Sequence, residues 1–220
     1  MKTLKLITLA LGVILSGSAF AQKTKITKGD FTELKGQTEV NVVFDYTDLQ
    51  CVGGAPFSKK AKPESDWIAE MKNKKNEKEA GTGDAWEKRW QAAKTGAFEP
   101  NFEIKMSEEW KGATVKRGAD NAKYTVVVHV LYTDPGFSIG ISSSDAWLNV
   151  AMDVVETGSD KVISSLTMDK IKGAAPGKGI PGAGGMISAM GSLTFEQRLG
   201  ESYEKAAKSF YRKVLKKAFK

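Results

Sequence analysis

The sequence predicts an α+β fold: a mostly antiparallel sheet of about four strands, packed by a long C-terminal helix and an inserted helical segment. Two patterns predict it. In four segments apolar and polar residues alternate, as they do in strands. In two regions apolar residues recur every three or four positions, as they do in helices. The strand-like segments are 38–47, 123–133, 146–156 and 161–170, and the helical regions are about 57–112 and the chain from 194 onward.

Residues 1–21 have the organisation of a cleaved secretory signal. Lys2 and Lys5 precede an apolar stretch at 6–15, and small residues at 19 and 21 supply a cleavage site. The apolar stretch is too short to cross about 30 Å of hydrocarbon, which argues against a transmembrane anchor. We therefore expect an exported protein, either periplasmic or secreted, with a location peripheral to a membrane as a further option, in which 22–220 form a single domain.

The composition narrows the classes of function. With 41% hydrophobic and 27% charged residues, the 220-residue chain is typical of a folded globular protein. One cysteine excludes an intrachain disulfide, and one histidine excludes a multi-histidine metal site, so we expect neither a metal nor a cofactor. Loss of 1–21 removes Lys2 and Lys5 and leaves 31 basic residues against 26 acidic ones, a net charge of +5.

The strand predictions differ in what they imply for the sheet. Residues 22–37 are polar, and we expect a loosely attached lead-in before the first strand at 38–47. The segment 123–133 carries apolar residues on both faces, which predicts a central strand covered on both sides. The segments 146–156 and 161–170 flank a Thr-Gly-Ser-Asp turn and predict a hairpin.

The helical insertion at about 57–112 contains four of the five tryptophans: Trp67, Trp86, Trp90 and Trp110. A stripe of this kind is typical of a hydrophobic core, and an exposed aromatic platform for a ligand is the alternative. A glycine-rich loop follows at 173–191. Thr194 and Gln197 then form a capping-box pattern that predicts the start of the C-terminal helix.

Residues that could carry chemistry are few. His129 lies within the strongest strand, where a hydrogen-bonded role is more usual than a catalytic one, and Cys51 has no second cysteine to pair with. Carboxylates occur in pairs near strand ends, at Asp45 and Asp48 and at Asp153 and Glu156, and would support a small hydrolase only if they faced each other across a cleft. We assign no catalytic residue and expect a protein that is not an enzyme.

The most prominent candidate for binding is a basic surface on the terminal helix. Its lysines and arginine suit the negative end of the helix dipole and are also able to meet an anionic partner. A nucleic-acid partner is not expected, because no strand combines aromatic and basic residues as such binding requires. The residues predicted to bind are Lys178 in the glycine-rich loop, Phe137 in the 134–144 loop, and Lys205, Lys208, Arg212 and Lys216 on the helix.

Three segments resemble a group of bacterial envelope domains: VNVVFDY at 40–46, AKYTVVV at 122–128, and VAMDVVETGSDKVI at 150–163. They look like parts of the amino-terminal domain of the Tol-Pal translocation protein and of the periplasmic domain of the curli secretion channel. YTDPGFSIG at 132–140 is similar to uncharacterised secreted proteins of Bacteroides-type bacteria. The resemblance implies an assembly or interaction role in the cell envelope, and no functional residue is carried over from it.

The function expected from the sequence is therefore that of an exported, non-enzymatic cell-envelope protein that binds a protein or an anionic envelope component. A small carboxylate-dependent hydrolase is one alternative. A carbohydrate- or lipid-binding module that uses the tryptophans is the other.

Overall fold

The protein is described here from a computed structural model, which covers residues 22–54, 56–139, 142–174 and 193–220. The predicted signal at 1–21 and most of the predicted glycine-rich loop, with Lys178, lie outside the described residues. The strands are β1 Lys23–Lys28, β2 Glu39–Asp45, β3 Gln50–Cys51, β4 Lys62–Pro63, β5 Thr114–Lys116, β6 Tyr124–Asp134, β7 Phe137–Ile139, β8 Ser142–Ser144, β9 Trp147–Glu156 and β10 Val162–Lys172. The α-helices are α1 Glu64–Asn76, α2 Thr82–Ala93, α3 Glu99–Glu109, α4 Phe195–Phe210 and α5 Lys216–Ala218; a 3-10 turn spans Thr32–Leu34, and π turns span Lys94–Phe98 and Tyr211–Leu215.

The main sheet confirms the α+β class but not the predicted number of strands. Within the described residues it has eight strands, of which six follow the order β1-β10-β9-β6-β2-β5, while β3 pairs with β6 and β4. The sheet is mixed: four of these pairings are antiparallel, whereas β2 runs parallel to both β5 and β6, and β3 runs parallel to β6. The predicted number of about four strands was wrong, because the short strands β3, β4 and β5 carry too few residues to show an alternating pattern.

The four long strand predictions all correspond to strands of this sheet. β9 and β10 form the predicted antiparallel hairpin, and β6 lies between β9 and β2. The lead-in prediction was wrong, since Lys23–Lys28 forms β1, an antiparallel edge strand against β10. Its lysines and threonines give no hydrophobic signal, and lysine is a residue type that natural edge strands commonly carry.

Helix α4 covers one face of the sheet, as the sequence predicts. Thr194 caps α4 through both bonds of the capping box. Phe210 and Tyr203 on α4 are buried, and their rings pack against Phe31 and Phe44, with centroid separations of 5.5 and 6.2 Å respectively. The side chains of β6, β9 and β10 that point to this face are fully buried, and they include Val128, Val150, Met152, Leu166 and Met168.

The helical insertion joins the same core through its tryptophans. Trp67, Trp90 and Trp110 are buried, and Trp86 is half-buried against the first two. The indole N–H of Trp90 donates to Glu64 at 2.6 Å, so the polar atom of this buried ring is satisfied. The core interpretation is confirmed for the three buried tryptophans, so these three rings are not available as the exposed platform that the carbohydrate- or lipid-binding alternative needs.

Among the described residues no helix covers the second face of the sheet, and we call it the open face. β6 presents Val127, His129 and Leu131 to it, and all three side chains are half-buried. The prediction that both faces of β6 would be covered was therefore wrong. Only the end near Tyr132 and Trp147 has a hydrophobic cover, which Phe57 provides.

No helix in the described ranges combines the length and the apolar character that a membrane crossing requires.

Candidate functional site

Polar and ionisable side chains from four strands meet in the middle of the open face. Asp45 ends β2, His129 lies opposite it on β6, and Asp153 and Ser165 pair across β9 and β10. Alternation along each strand places these four side chains on the face opposite the helices. Sequence reasoning identified three of the four as residues of interest, but it did not bring them together.

His129 contacts one carboxylate through each ring nitrogen. Its Nδ1 lies 2.8 Å from Oδ2 of Asp45, and its Nε2 lies 3.3 Å from Oδ2 of Asp153. A neutral imidazole has one N–H, so only the doubly protonated ring can donate to both carboxylates at once. The bridge connects β2, β6 and β9 through side chains as well as through the backbone.

Both carboxylates have further hydrogen-bond donors. Oδ1 of Asp45 accepts from the Thr47 hydroxyl at 2.6 Å and from the Thr47 backbone N–H at 2.9 Å. These two bonds and the contact with His129 lower the pKa of Asp45 from 3.8 to about 2. Oδ1 of Asp153 accepts from the Ser165 hydroxyl.

This arrangement does not form a hydrolytic site from the described residues. The hydroxyl of Ser165 is directed to Asp153 and not to His129, so the imidazole is not placed to take its proton. The imidazole also fills the space between Asp45 and Asp153, where two catalytic carboxylates would need a substrate between them. Asp48 is exposed in the turn after β2, and Glu156 is paired with Tyr124 at the far end of β6.

The described residues also form neither a metal site nor a reactive thiol. They include no cluster of three or more histidine, cysteine, aspartate or glutamate side chains suited to a metal ion. Cys51 is fully buried, and burial raises the pKa of its thiol, which keeps it in the unreactive protonated form.

The predicted binding residues fall at two ends of α4. Phe137 lies near its beginning, where Arg198 donates to the carbonyls of Pro135 and Gly136 at 2.9 and 3.3 Å. Lys216 lies 18 residues after Arg198, which is a distance of about 27 Å along a helix. Phe137 and Lys216 therefore do not share one compact site.

Phe137 itself packs against the loop that follows β3. Gly54 there has a φ of +74°, and a β-carbon at this position would lie 2.5 Å from Cδ1 of Phe137. The backbone N–H groups of Gly54 and Gly136 both donate to the buried carboxylate of Asp134 at 2.9 Å. These contacts give Phe137 a structural role in joining two loops.

The basic helix residues divide into paired and unpaired groups. Arg212 makes a two-pronged contact with Glu109, at 2.6 and 2.9 Å, and Lys205 pairs with Glu201 at 2.5 Å. Within the part of the chain that the structure describes, the remaining cations of this end have no carboxylate within ion-pair distance. We call these residues the lysine-rich end: Lys208, Lys213, Lys216, Lys217 and Lys220, all of them exposed.

Two further features converge on the lysine-rich end. The end of α3 lies beside the end of α5, where the rings of Trp110 and Phe219 are 5.4 Å apart, so the last lysines lie near the negative ends of two helix dipoles. Gln22, the residue after the predicted cleavage site, accepts a hydrogen bond from the Ser209 hydroxyl at 3.0 Å. The chain therefore enters the domain beside the lysine-rich end.

Comparison with known proteins gives distant structural likenesses. No family model and no curated protein matches the chain. It is similar to PelC from Paraburkholderia phytofirmans, solved as a dodecamer, with 13% identity and a TM-score of 0.37 over 90% of this chain and 98% of that chain. It is also similar to a Xanthomonas campestris protein of family DUF330, with 13% identity and a TM-score of 0.33 over 88% of this chain and 92% of that chain. At such low TM-scores neither likeness assigns this chain a function.

Proposed function

We propose that this chain is an exported, non-enzymatic protein of the cell envelope that docks on an anionic membrane surface through its lysine-rich end. The observation that carries the proposal is the group of five exposed lysines at one end of the domain, unpaired within the described residues. Each basic side chain near an anionic lipid surface contributes about 1 kcal/mol of binding free energy. Five such lysines on one rigid helix end are enough for a reversible attachment.

The position of Gln22 supports this orientation. A secretory signal, as predicted for 1–21, leads the chain to a membrane before it is cleaved. Because Gln22 is held against Ser209, the domain would emerge with its lysine-rich end next to that membrane. The non-enzymatic part of the proposal is supported by the open-face cluster, where serine, histidine and carboxylates bind one another without forming an activated nucleophile.

The test is sedimentation of residues 22–220 with phospholipid vesicles, either zwitterionic or containing an anionic lipid. We expect binding to anionic vesicles only, and weaker binding at high salt because ions screen exposed charges. The variant K213E/K216E/K217E should bind at least roughly 100-fold more weakly, because loss of three attractive charges alone costs about 3 kcal/mol and the new glutamates are also repelled.

The matched control is K59E/K60E/K78E, which makes the same change of charge at three exposed lysines of the helical insertion. This control should bind almost as wild type does. Equal losses in the two variants would show that net charge alone attracts the vesicles, and no binding by wild type would refute the proposed docking.

A further inference from the structure

One row of side chains crosses the whole open face in register. Backbone pairing aligns Asp45 with His129, His129 with Ala151, Ala151 with Thr167, and Thr167 with Lys25. The row therefore starts with an acid on β2 and ends with a base on β1. Its central member, on β9, is the smallest side chain of the five.

The row is accessible along its length. Asp45, His129, Ala151 and Thr167 are half-buried, and Lys25 is exposed. The adjacent Val43 is 44% exposed, one of three large apolar side chains among the described residues that remain so open to solvent. This is a flat strand surface with a shallow centre, and packing of a second sheet about 10 Å away is the usual way to cover such a face.

We propose that the open face binds a second copy of this chain, around a two-fold axis that runs along β9 and passes Ala151. Such an axis reverses the order of the strands in the second copy. Asp45 of each copy then faces Lys25 of the other, and Ala151 faces Ala151 where the two sheets approach most closely. The inference goes beyond membrane docking and does not depend on it, because the open face and the lysine-rich end share no residue.

The balance of charge favours a second copy over a strongly charged partner. Close to the row, strand alternation places three acids and three lysines on this face: Asp45, Asp153, Asp169, Lys23, Lys25 and Lys28. Further from the row, Glu39 pairs with Lys116 and Lys172 pairs with Asp145, so these charges are offset within the chain. The two-fold arrangement places Asp45 of β2 opposite Lys25 of β1 at both edges, which gives two contacts between unlike charges.

Asp153 is the acidic residue of β9, and this axis places it near its own copy in the second chain. Like charges at such a position oppose association. Each Asp153 carboxylate, however, already accepts a hydrogen bond from Ser165 and contacts His129 at 3.3 Å. These in-chain partners offset the charge that the second copy would meet.

The size of the face sets the expected strength. Five strands about 4.8 Å apart and five residues along each strand give a flat area of roughly 400 Å² per copy. That is below the area typical of permanent dimers, so we expect weak association that depends on protein concentration. Sedimentation velocity over a wide concentration range is the suitable measurement.

Charge exchange across the predicted pair provides the test. K25D and D45K should each weaken dimerisation at least about 10-fold, because each change creates two like-charge contacts per dimer. An equal mixture of K25D and D45K should regain association, since the mixed dimer has one wild-type pair of Asp45 with Lys25 and one pair in which the two charges are exchanged. K88D, the same change of charge on the exposed side of α2, should dimerise as wild type does.

Three results would overturn the proposal. They are a wild-type protein that is monomeric at every concentration, equal behaviour of K25D and K88D, and failure of the mixture to associate more strongly than either variant alone. D45K also loses the bonds to Thr47, so its folding must be verified by circular dichroism. If it does not fold, the comparison of K25D with K88D decides the question, because Lys25 is exposed on an edge strand.

Discussion

The two faces of the main sheet are made from the same strands, yet they are held together by different physical effects. On the face covered by α4, alternate residues such as Val128, Met152 and Leu166 are fully buried and apolar. On the open face, the residues between them include His129 and Asp153, which are half-buried and bind one another. The covered face is stabilised by removal of apolar area from water, and the open face carries local polar contacts whose loss should cost little.

The largest expected effect is a cavity on the covered face. Phe210 is fully buried on α4, and its ring packs edge-on against Phe31. Phe210→Ala should lower the free energy of unfolding by about 3–5 kcal/mol, as large-to-small changes at buried aromatic positions do. Urea denaturation of residues 22–220, with and without the substitution, measures this change in the free energy of unfolding.

The matched change on the open face is Val43→Ala, at a position 44% exposed. It should change the free energy of unfolding by less than about 0.5 kcal/mol. Similar losses in Phe210→Ala and Val43→Ala would contradict the difference between the faces.

A smaller effect is expected from loss of the His129 bridge. His129→Gln removes the two carboxylate contacts and should lower the free energy of unfolding by about 1 kcal/mol. That is less than the ~1.5–3 kcal/mol of a buried hydrogen bond to a charged group, because 32% of the His129 side chain and 34% of the Asp45 side chain remain exposed. A loss as large as that in Phe210→Ala would show that the cluster is part of the core.

The smallest effect is a change in acid sensitivity. In the folded protein the pKa of Asp45 is lowered from 3.8 to about 2, first by the Thr47 hydroxyl and then by the Thr47 N–H and His129. The ionised carboxylate therefore adds stability above pH 3.8, and this stability is lost as the pH falls through 2.

Asp45→Asn should accordingly be less stable than wild type near neutral pH, and the gap should close between pH 3.8 and 2. Denaturation at a series of pH values measures the gap. Asp48→Asn, at the exposed carboxylate three residues away, should show no comparable change. A gap for Asp45→Asn that persists at pH 2 would mean that the Thr47 bonds act independently of charge.

The sequence predicted the parts of the fold that bury apolar residues. The strands β2, β6, β9 and β10 show alternation that matches the burial they acquire, and Thr194 with Gln197 marks the true start of α4. β1 was missed because an edge strand of lysines and threonines is held by backbone hydrogen bonds, which leave no hydrophobic pattern in the sequence.

The candidate site could be predicted only in part for a related reason. Alternation places His129 and Asp153 on one face of their strands, but it does not say which strands are neighbours. The parallel pairing of β2 with β6 brings Asp45 to His129, and that pairing depends on a crossover of some 80 residues between them. The sequence shows the basic residues of the terminal helix, but it does not show which of them are paired. The ion pair that Glu109 forms with Arg212 depends on the packing of α3 against the terminal helix.

The π turn at Tyr211–Leu215 determines the direction in which the end of the chain presents its charge. A π turn contains one residue more than an α turn, and each residue rotates the following helix by about 100°. With this extra residue, Val214 and Leu215 are both buried, and Lys216 and Lys217 emerge together into solvent. The length of this segment therefore matters as much as its composition: deletion of Val214 would keep every lysine and rotate the five residues after the π turn by more than a quarter of a circle.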